Sequence, residues 1–139
     1  MNDPVKSGKE MIAFMSPREV PGTFVFVSVP DTAHASALSE QALALFREPE
    51  GPSLVLPVAA AEAAGLPYDL PMACITLTVH SALDGVGLTA AVSQALAERD
   101  IPCNIVAAFH HDHVFVPRDQ AELAMETLLK LQRNTASRT

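Results

Sequence analysis

His110-His111-Asp112-His113 is the densest run of proton-carrying and metal-ligating side chains in the chain. In extended backbone His111 and His113 share a face, because side chains alternate with a period of two. Zinc commonly uses such ligands, but a site needs three or four converging donors, and His80 or Cys74 can join only through an assumed strand pairing. The plainer reading is a hydrogen-bonded hairpin turn. A metal-dependent or thiol enzyme centred on His110 to His113 is therefore one alternative. Cys74 and Cys103 fall in separate strand candidates with no motif around them, which fits buried structural thiols better than nucleophiles or a disulfide. Ser81 has no Gly-x-Ser-x-Gly elbow around it.

A second constellation is Asp84-Gly85-Val86-Gly87-Leu88. Gly85 and Gly87 let backbone approach a ligand closely, and a helix beginning near Leu88 offers unpaired N–H groups and a positive dipole end to a carboxylate. Asp84 beside it suits an ammonium group. The same residues also make an ordinary strand-to-helix turn with an Asp cap, and both readings stay open. The third glycine of a dinucleotide fingerprint is missing, so nicotinamide binding is rejected and no cofactor is expected.

The 139 residues suffice for one compact domain or two small fused subdomains. With 49% hydrophobic and 18% charged residues the chain has ample apolar surface to fold. A net charge of −7 is the wrong sign for a protein that neutralises phosphates, so neither nucleic acid nor an anionic membrane is an expected partner. No apolar stretch is long enough to span a bilayer, and Met1-Asn2-Asp3-Pro4 lacks the features of a secretory signal. A cytoplasmic location is expected.

Ser7 and Glu10 fit a capping box, after which Met11, Ile12 and Met15 give a short helix one apolar face. Pro21-Gly22 reads as punctuation before a central strand over Thr23 to Val29. Residues 31–41 are small and polar without a period, and read as a loop. Turn residues from Glu48 to Pro52 separate a strand at Ala42 to Arg47 from another at Ser53 to Leu56. Val58 to Ala64 is an Ala-rich helix with Gly65 at its left-handed C′ position, and Leu66 to Pro71 is a linker. Met72 to His80 alternates as a half-buried strand, and Ser81 to Gly87 is a glycine-bearing turn. Leu88 to Arg99 is the clearest amphipathic helix. Cys103 to Phe109 reads as a central strand, His113 to Val116 as its hairpin partner, and Ala121, Ala124, Leu128 and Leu131 stripe a final helix ending near Arg133.

An internal repeat organises these elements. Leu54 to Ala64 aligns with Val114 to Ala124 at an offset of 60, matching Pro57 with Pro117 and Glu62 with Glu122. Phe24 to Pro30 aligns with Cys74 to His80 at an offset of 50, so the second unit carries ten more residues between its first strand and its hairpin. Both units read β-α-β-β-α, the first with its first helix reduced to the loop at 31–41. Such a unit completes a ferredoxin-like sheet by borrowing its neighbour's first strand. The expected fold is α+β: two interlocked ferredoxin-like subdomains of βαββαβ type, with antiparallel sheets and helices on one face. The expected divisions are an N-terminal helix and lead-in at 1–22, units at 23–71 and 72–133, and a disordered tail at 134–139. Any uncovered sheet face is expected to form a homodimer.

Ile75 to Ser81, Asp84 to Val92, Ala95 to Ala97, Ile101 to Val106, His111 to His113 and Val116-Pro117 together resemble the small bacterial tandem ACT-domain proteins related to the regulatory domains of aspartate kinases. The similarity extends through Pro21-Gly22, Phe24 to Pro30, Phe46 to Glu48, Gly51 and Leu54 to Pro57, covering about Ser16 to Leu131. The resemblance implies a non-enzymatic regulatory module that senses a small molecule, commonly an amino acid, at an interface between ACT units. It places the ligand against Asp84, Gly85, Val86, Gly87 and Leu88, with Asn104 and Ile105 opposite. His111, Asp112 and His113 also match the family pattern, which leaves them a ligand-contacting role. A structural domain whose ligand loop is vestigial is a further alternative.

Overall fold

The computed structural model describes residues 4–137. In chain order the strands and α-helices are β1 (Val5–Ser7), α1 (Gly8–Ala13), β2 (Pro17–Ser28), α2 (Thr32–Leu38), β3 (Ala44–Glu48), β4 (Gly51–Pro57), α3 (Val58–Ala63), β5 (Met72–Leu77), β6 (Ser81–Val86), α4 (Leu88–Ala97), β7 (Asn104–Ala107), β8 (Asp112–Pro117) and α5 (Ala121–Ala136). They gather into two compact units, Gly22–Met72 and Met1–Pro21 with Ala73–Thr139. Each is α+β, with antiparallel strand pairs and helices.

In the unit Gly22–Met72 the strands run in the order β3-β4-β2, with both pairs antiparallel. Val25, Val27 and Val29 alternate onto one face and meet Leu54, Leu56, Leu38 and Ala61 in a common core. Pro21-Gly22 does not break the strand, since β2 runs through it; the fixed φ of proline suits extended backbone as well as a turn. The expected loop at 31–41 is corrected to α2 followed by a 3-10 turn at Ser39–Gln41. The Asp31 carboxylate accepts the His34 N–H at 3.0 Å and caps the helix. Ala35 and Leu38 are its only buried residues; two apolar contacts are too few to register as a period, so the cap and the burial decide this helix. Gly65 takes the left-handed position after α3 (φ 68), and the Leu66 and Gly65 N–H groups reach the Ala61 and Glu62 carbonyls.

In the other unit the strand order is β5-β8-β7, with β7 and β8 an antiparallel hairpin. Ile75, Leu77, Val114 and Val116 face α4 and α5 through Val92, Leu96, Ala124 and Leu128, and Met11 and Met15 of the N-terminal segment join the same core. On the opposite face Thr76, Thr78 and His80 are half-buried, as the alternation predicts, while Cys74 and Phe115 are closed off at 1% and 2% exposed. β7 is shorter than expected and is bonded only to β8, so Cys103 to Phe109 is an edge and not a central strand. Its Asn104 is exposed, and Ile105 and Val106 are half-buried.

The largest departure lies between β5 and α4. Ser81 to Val86, expected as a turn, is the strand β6, and it pairs in parallel with β1. The surplus of the second repeat is thereby located. Helix α4 has ten residues where α2 has seven, and the six-residue β6 has no counterpart in the first unit. Helix α5 continues to Ala136, through three residues expected to be frayed. The Thr135 hydroxyl donates to the Leu131 carbonyl inside its last turns. Residues 1–3 of the expected lead-in and 138–139 of the expected tail lie outside the described residues.

Candidate functional site

The glycine turn opens onto a cleft of about 500 Å³ in the second unit. Its floor and walls come from β6, the first turn of α4, Ala107 and Ala108 at the end of β7, Asp112 at the start of β8, and Met11 of α1. Gly87 is the N-cap of α4 with φ 110, a conformation side chains disfavour, and no side chain caps the helix. The first turn of this ten-residue helix, whose leading N–H groups have no partner within the helix itself, borders the cleft. Asp112 is the charged side chain of the lining, and the Ser81 hydroxyl donates to its Oδ2 at 3.1 Å.

The N-terminal segment presses on the same turn. A Cβ added to Gly8 would collide with the Val86 carbonyl oxygen, and one added to Gly87 would lie 3.5 Å from the Gly8 Cα. A Cβ on Gly85 would sit 3.0 Å from the Met11 Cε. Met11 is 2% exposed. Part of the reason for glycine here is thus close approach of this chain's own backbone and thioether.

Of the residues singled out in the sequence, Gly85, Val86, Gly87 and Leu88 line the cleft. Asp84 lies on β6 and Asn104 and Ile105 on β7, and the structure does not bring these three into the lining. Met11, Ser81, Thr89 and Ala107 enter it without having been singled out, and Asp112 enters from the histidine run. For Asp112 the match of the histidine run to the family pattern was a signal. Met11 gave none, since nothing local ties residue 11 to residue 85. In the first unit the equivalent passage from strand to helix is Val29-Pro30-Asp31, without glycine.

The histidines of the hairpin each have partners of their own. The His111 Nδ1 lies 3.2 Å from the Val79 carbonyl, which only accepts, so that nitrogen carries a proton. The His113 Nδ1 lies 2.9 Å from the Thr76 hydroxyl. Burial lowers the His113 pKa, the charge of His111 lowers it further, and Asp112 partly offsets both. His80, Phe109 and His110 form a ring cluster with centroids 5.0 to 6.4 Å apart. Among the described residues no group of three or more His, Cys, Asp or Glu side chains is placed to hold a metal ion. Burial pushes the Cys74 thiol up to about 11 against a lowering hydrogen bond with Thr76, and burial also raises Cys103. Neither thiol is set up as a nucleophile.

A larger groove of about 600 Å³ follows the outer face of α5, where the Arg118 guanidinium meets the Glu19 carboxylate at 2.7 Å. Asp119, Glu122, Glu126 and Arg133 line the same groove, with no cysteine, serine or histidine among its lining residues. No described helix is long and apolar enough to cross a membrane.

Residues 5–73 match an ACT domain, and residues 70–130 match a second ACT-domain family. None of the curated proteins matches the chain. Among solved structures, a Vibrio cholerae protein of unknown function, described as a possible transport protein, is 41% identical, covers 89% of this chain and 94% of its own, and superposes with a TM-score of 0.79. An Agrobacterium tumefaciens protein is 18% identical over 84% of this chain and 87% of its own, with a TM-score of 0.67. The ligand-free regulatory subunit of aspartate kinase from Thermus thermophilus is 15% identical over 86% of this chain and 97% of its own, with a TM-score of 0.64. The last two likenesses speak to the fold. Taken with the Vibrio relative and the match on each half, they lead to one conclusion: the chain belongs to the ACT-domain family and carries two ACT domains in tandem.

Proposed function

We propose that this protein is a cytoplasmic regulatory module, not an enzyme, that senses a free amino acid at the glycine turn of its second unit. The observation that carries the reading is Gly87: a left-handed N-cap without a capping side chain, opening into a cleft large enough for a small molecule. In this reading the ligand carboxylate takes the N–H groups of Gly87, Leu88 and Thr89, and its ammonium faces Asp112, which Ser81 holds in place. Asp84 stays near the turn, and Asn104 and Ile105 belong to the strand beyond it. The lining is otherwise apolar, from Met11, Ala82, Leu83, Val86 and Leu88, which favours an uncharged ligand side chain. The regulatory subunits among the structural neighbours support the role, and the raised thiols of Cys74 and Cys103 speak against a cysteine nucleophile.

A homodimer completes the proposal, with the ligand at an interface that another ACT unit shares. Supporting it, β3 is bonded only to β4 and carries Leu45 and Phe46 exposed, Phe46 at 72%. Such an edge invites a second copy.

A thermal-shift screen against the twenty amino acids, nucleotides and divalent metals tests the reading. A ligand at about 100 times its Kd adds about 2.7 kcal/mol, a shift of several degrees. One or a few amino acids are expected to shift the midpoint, and Gly87→Val is expected to abolish that shift while remaining folded. Silence from every amino acid overturns the reading, and a shift by zinc alone replaces it with the histidine hairpin.

A further inference from the structure

We infer that residues 5–13 are a docking strap that completes the cleft of the second unit, so that ligand occupancy and strap docking stabilise each other. The inference rests on the ligand reading above and adds a moving part to it.

The internal repeat supplies the first argument. The first unit passes from strand to helix across residues 29–31, whereas the second uses residues 78–87, and most of that surplus is β6. The partner of β6 is β1, which lies outside the repeat. Surplus strand and N-terminal segment are therefore fitted to one another. Their meeting is close: Gly8 has no room for a side chain against the Val86 carbonyl, and Met11 fills the space left by Gly85.

The second argument is how unevenly the segment is held. At its C-terminal end it is tied firmly. The Val79 N–H donates to the Met15 carbonyl (3.3 Å), the Thr78 hydroxyl to the Ser16 carbonyl (2.9 Å), and the Ser16 N–H to the Gln132 Oε1 (3.1 Å). Ser16 itself sits at φ 42, a left-handed position unfavourable for serine, where the chain turns from α1 into β2. Before Ser16 no such ties are made: a three-residue strand whose register slips between Val5 and Ser7 leads into a six-residue helix too short to persist alone, which is held by packing on α4 and α5. Met11 is the one buried residue of α1. Opening about Ser16 releases Met11 and the half-buried Ile12 from the core and leaves Met15 and the larger sheet in place, a local opening of the kind that precedes global unfolding.

Met11 also lines the cleft. A ligand there touches the docked strap and loses that wall when the strap leaves. That difference in contact is the coupling, and it works in both directions. The N-terminal segment thereby carries the state of the cleft to the protein surface.

Hydrogen exchange on the full chain, free and with a millimolar mixture of the twenty amino acids, tests this. In the free protein, residues 5–13 and 81–87 are expected to exchange together and at least tenfold faster than β5 and β8; exchange at the rate of β5 and β8 overturns the strap. The mixture is expected to slow both segments. A midpoint shift without that slowing overturns the coupling and leaves the ligand reading standing, whereas no midpoint shift removes the ligand reading and the coupling with it. Gly8→Val is expected to accelerate exchange in both segments and to diminish the mixture's midpoint shift; an undiminished shift overturns the coupling. Met11→Ala, which keeps the backbone pairing, is expected to weaken the shift less.

Discussion

Met11 stands in for the side chain that Gly85 lacks: its Cε and Sδ lie 3.0 and 3.1 Å from where a Cβ on Gly85 would be. A thioether from a helix near the start of the chain thus sets the residue type in a turn more than seventy positions away. Gly85→Ala is expected to destabilise the fold by about 1–3 kcal/mol through overpacking. Met11→Ala should cost about 2–5 kcal/mol alone. The double variant should be more stable than the sum predicts, measured by urea denaturation as a double-mutant cycle. Relief stays partial because the Ala82 carbonyl oxygen also lies 3.1 Å from that Cβ position. Strict additivity would mean that the two residues do not share this space.

Helix α2 depends on its cap. Asp31→Ala removes the acceptor of the His34 N–H and should cost about 1 kcal/mol, while Asp31→Asn should cost less. The check is equilibrium denaturation of both variants; equal stability of Asp31→Ala and the parent would show that burial of Ala35 and Leu38 alone holds the helix.

His113 gives stability a pH dependence. Its folded pKa is lowered from 6.5, first by burial, then by His111, with Asp112 opposing. The unfolded chain therefore takes up this proton more readily than the folded one. The stability involved is complete above about pH 6.5 and is lost as pH falls through the lowered folded value. Denaturation at a series of pH values from neutral to mildly acidic should show this loss, and His113→Gln should flatten it. An unchanged slope in that variant would assign the dependence to another group.

The cysteines should be chemically quiet. With its pKa at about 11, Cys74 exposes about one thiolate in ten thousand at pH 7, and Cys103 is also raised. Iodoacetamide on the native protein at neutral pH should label Cys74 only as fast as the protein unfolds, and Cys103 more slowly than a free thiol, read by mass spectrometry. Rapid labelling of Cys74 would contradict its burial.

Much of the fold was legible in local pattern. The Ser7 cap and the amphipathic stripe of α4 each involve residues within a few positions of one another, where periodicity and turn chemistry act, and the repeat sets two such local runs, around Pro57 and Pro117, side by side. Three elements escaped, α2, β1 and β6. Helix α2 buries only Ala35 and Leu38, below the reach of a period, and β6 is strand only because β1 pairs with it. The cleft was legible in part for the same reason: Gly85 to Leu88 are contiguous and share a turn, whereas Met11, Ala107 and Asp112 reach it from three other elements.

Residue type and pattern along the chain were enough for the α+β class, the tandem of two related units and the glycine-bearing passage into α4, because each is written in local runs or in their repetition. Only long-range packing makes Ser81 to Val86 a strand, joins the N-terminal segment to the second half of the chain, and brings Asp112 into the lining of the cleft. Those depend on contacts between residues distant in sequence, and a chain records such contacts only through the small residues, such as Gly8 and Gly85, that leave room for them.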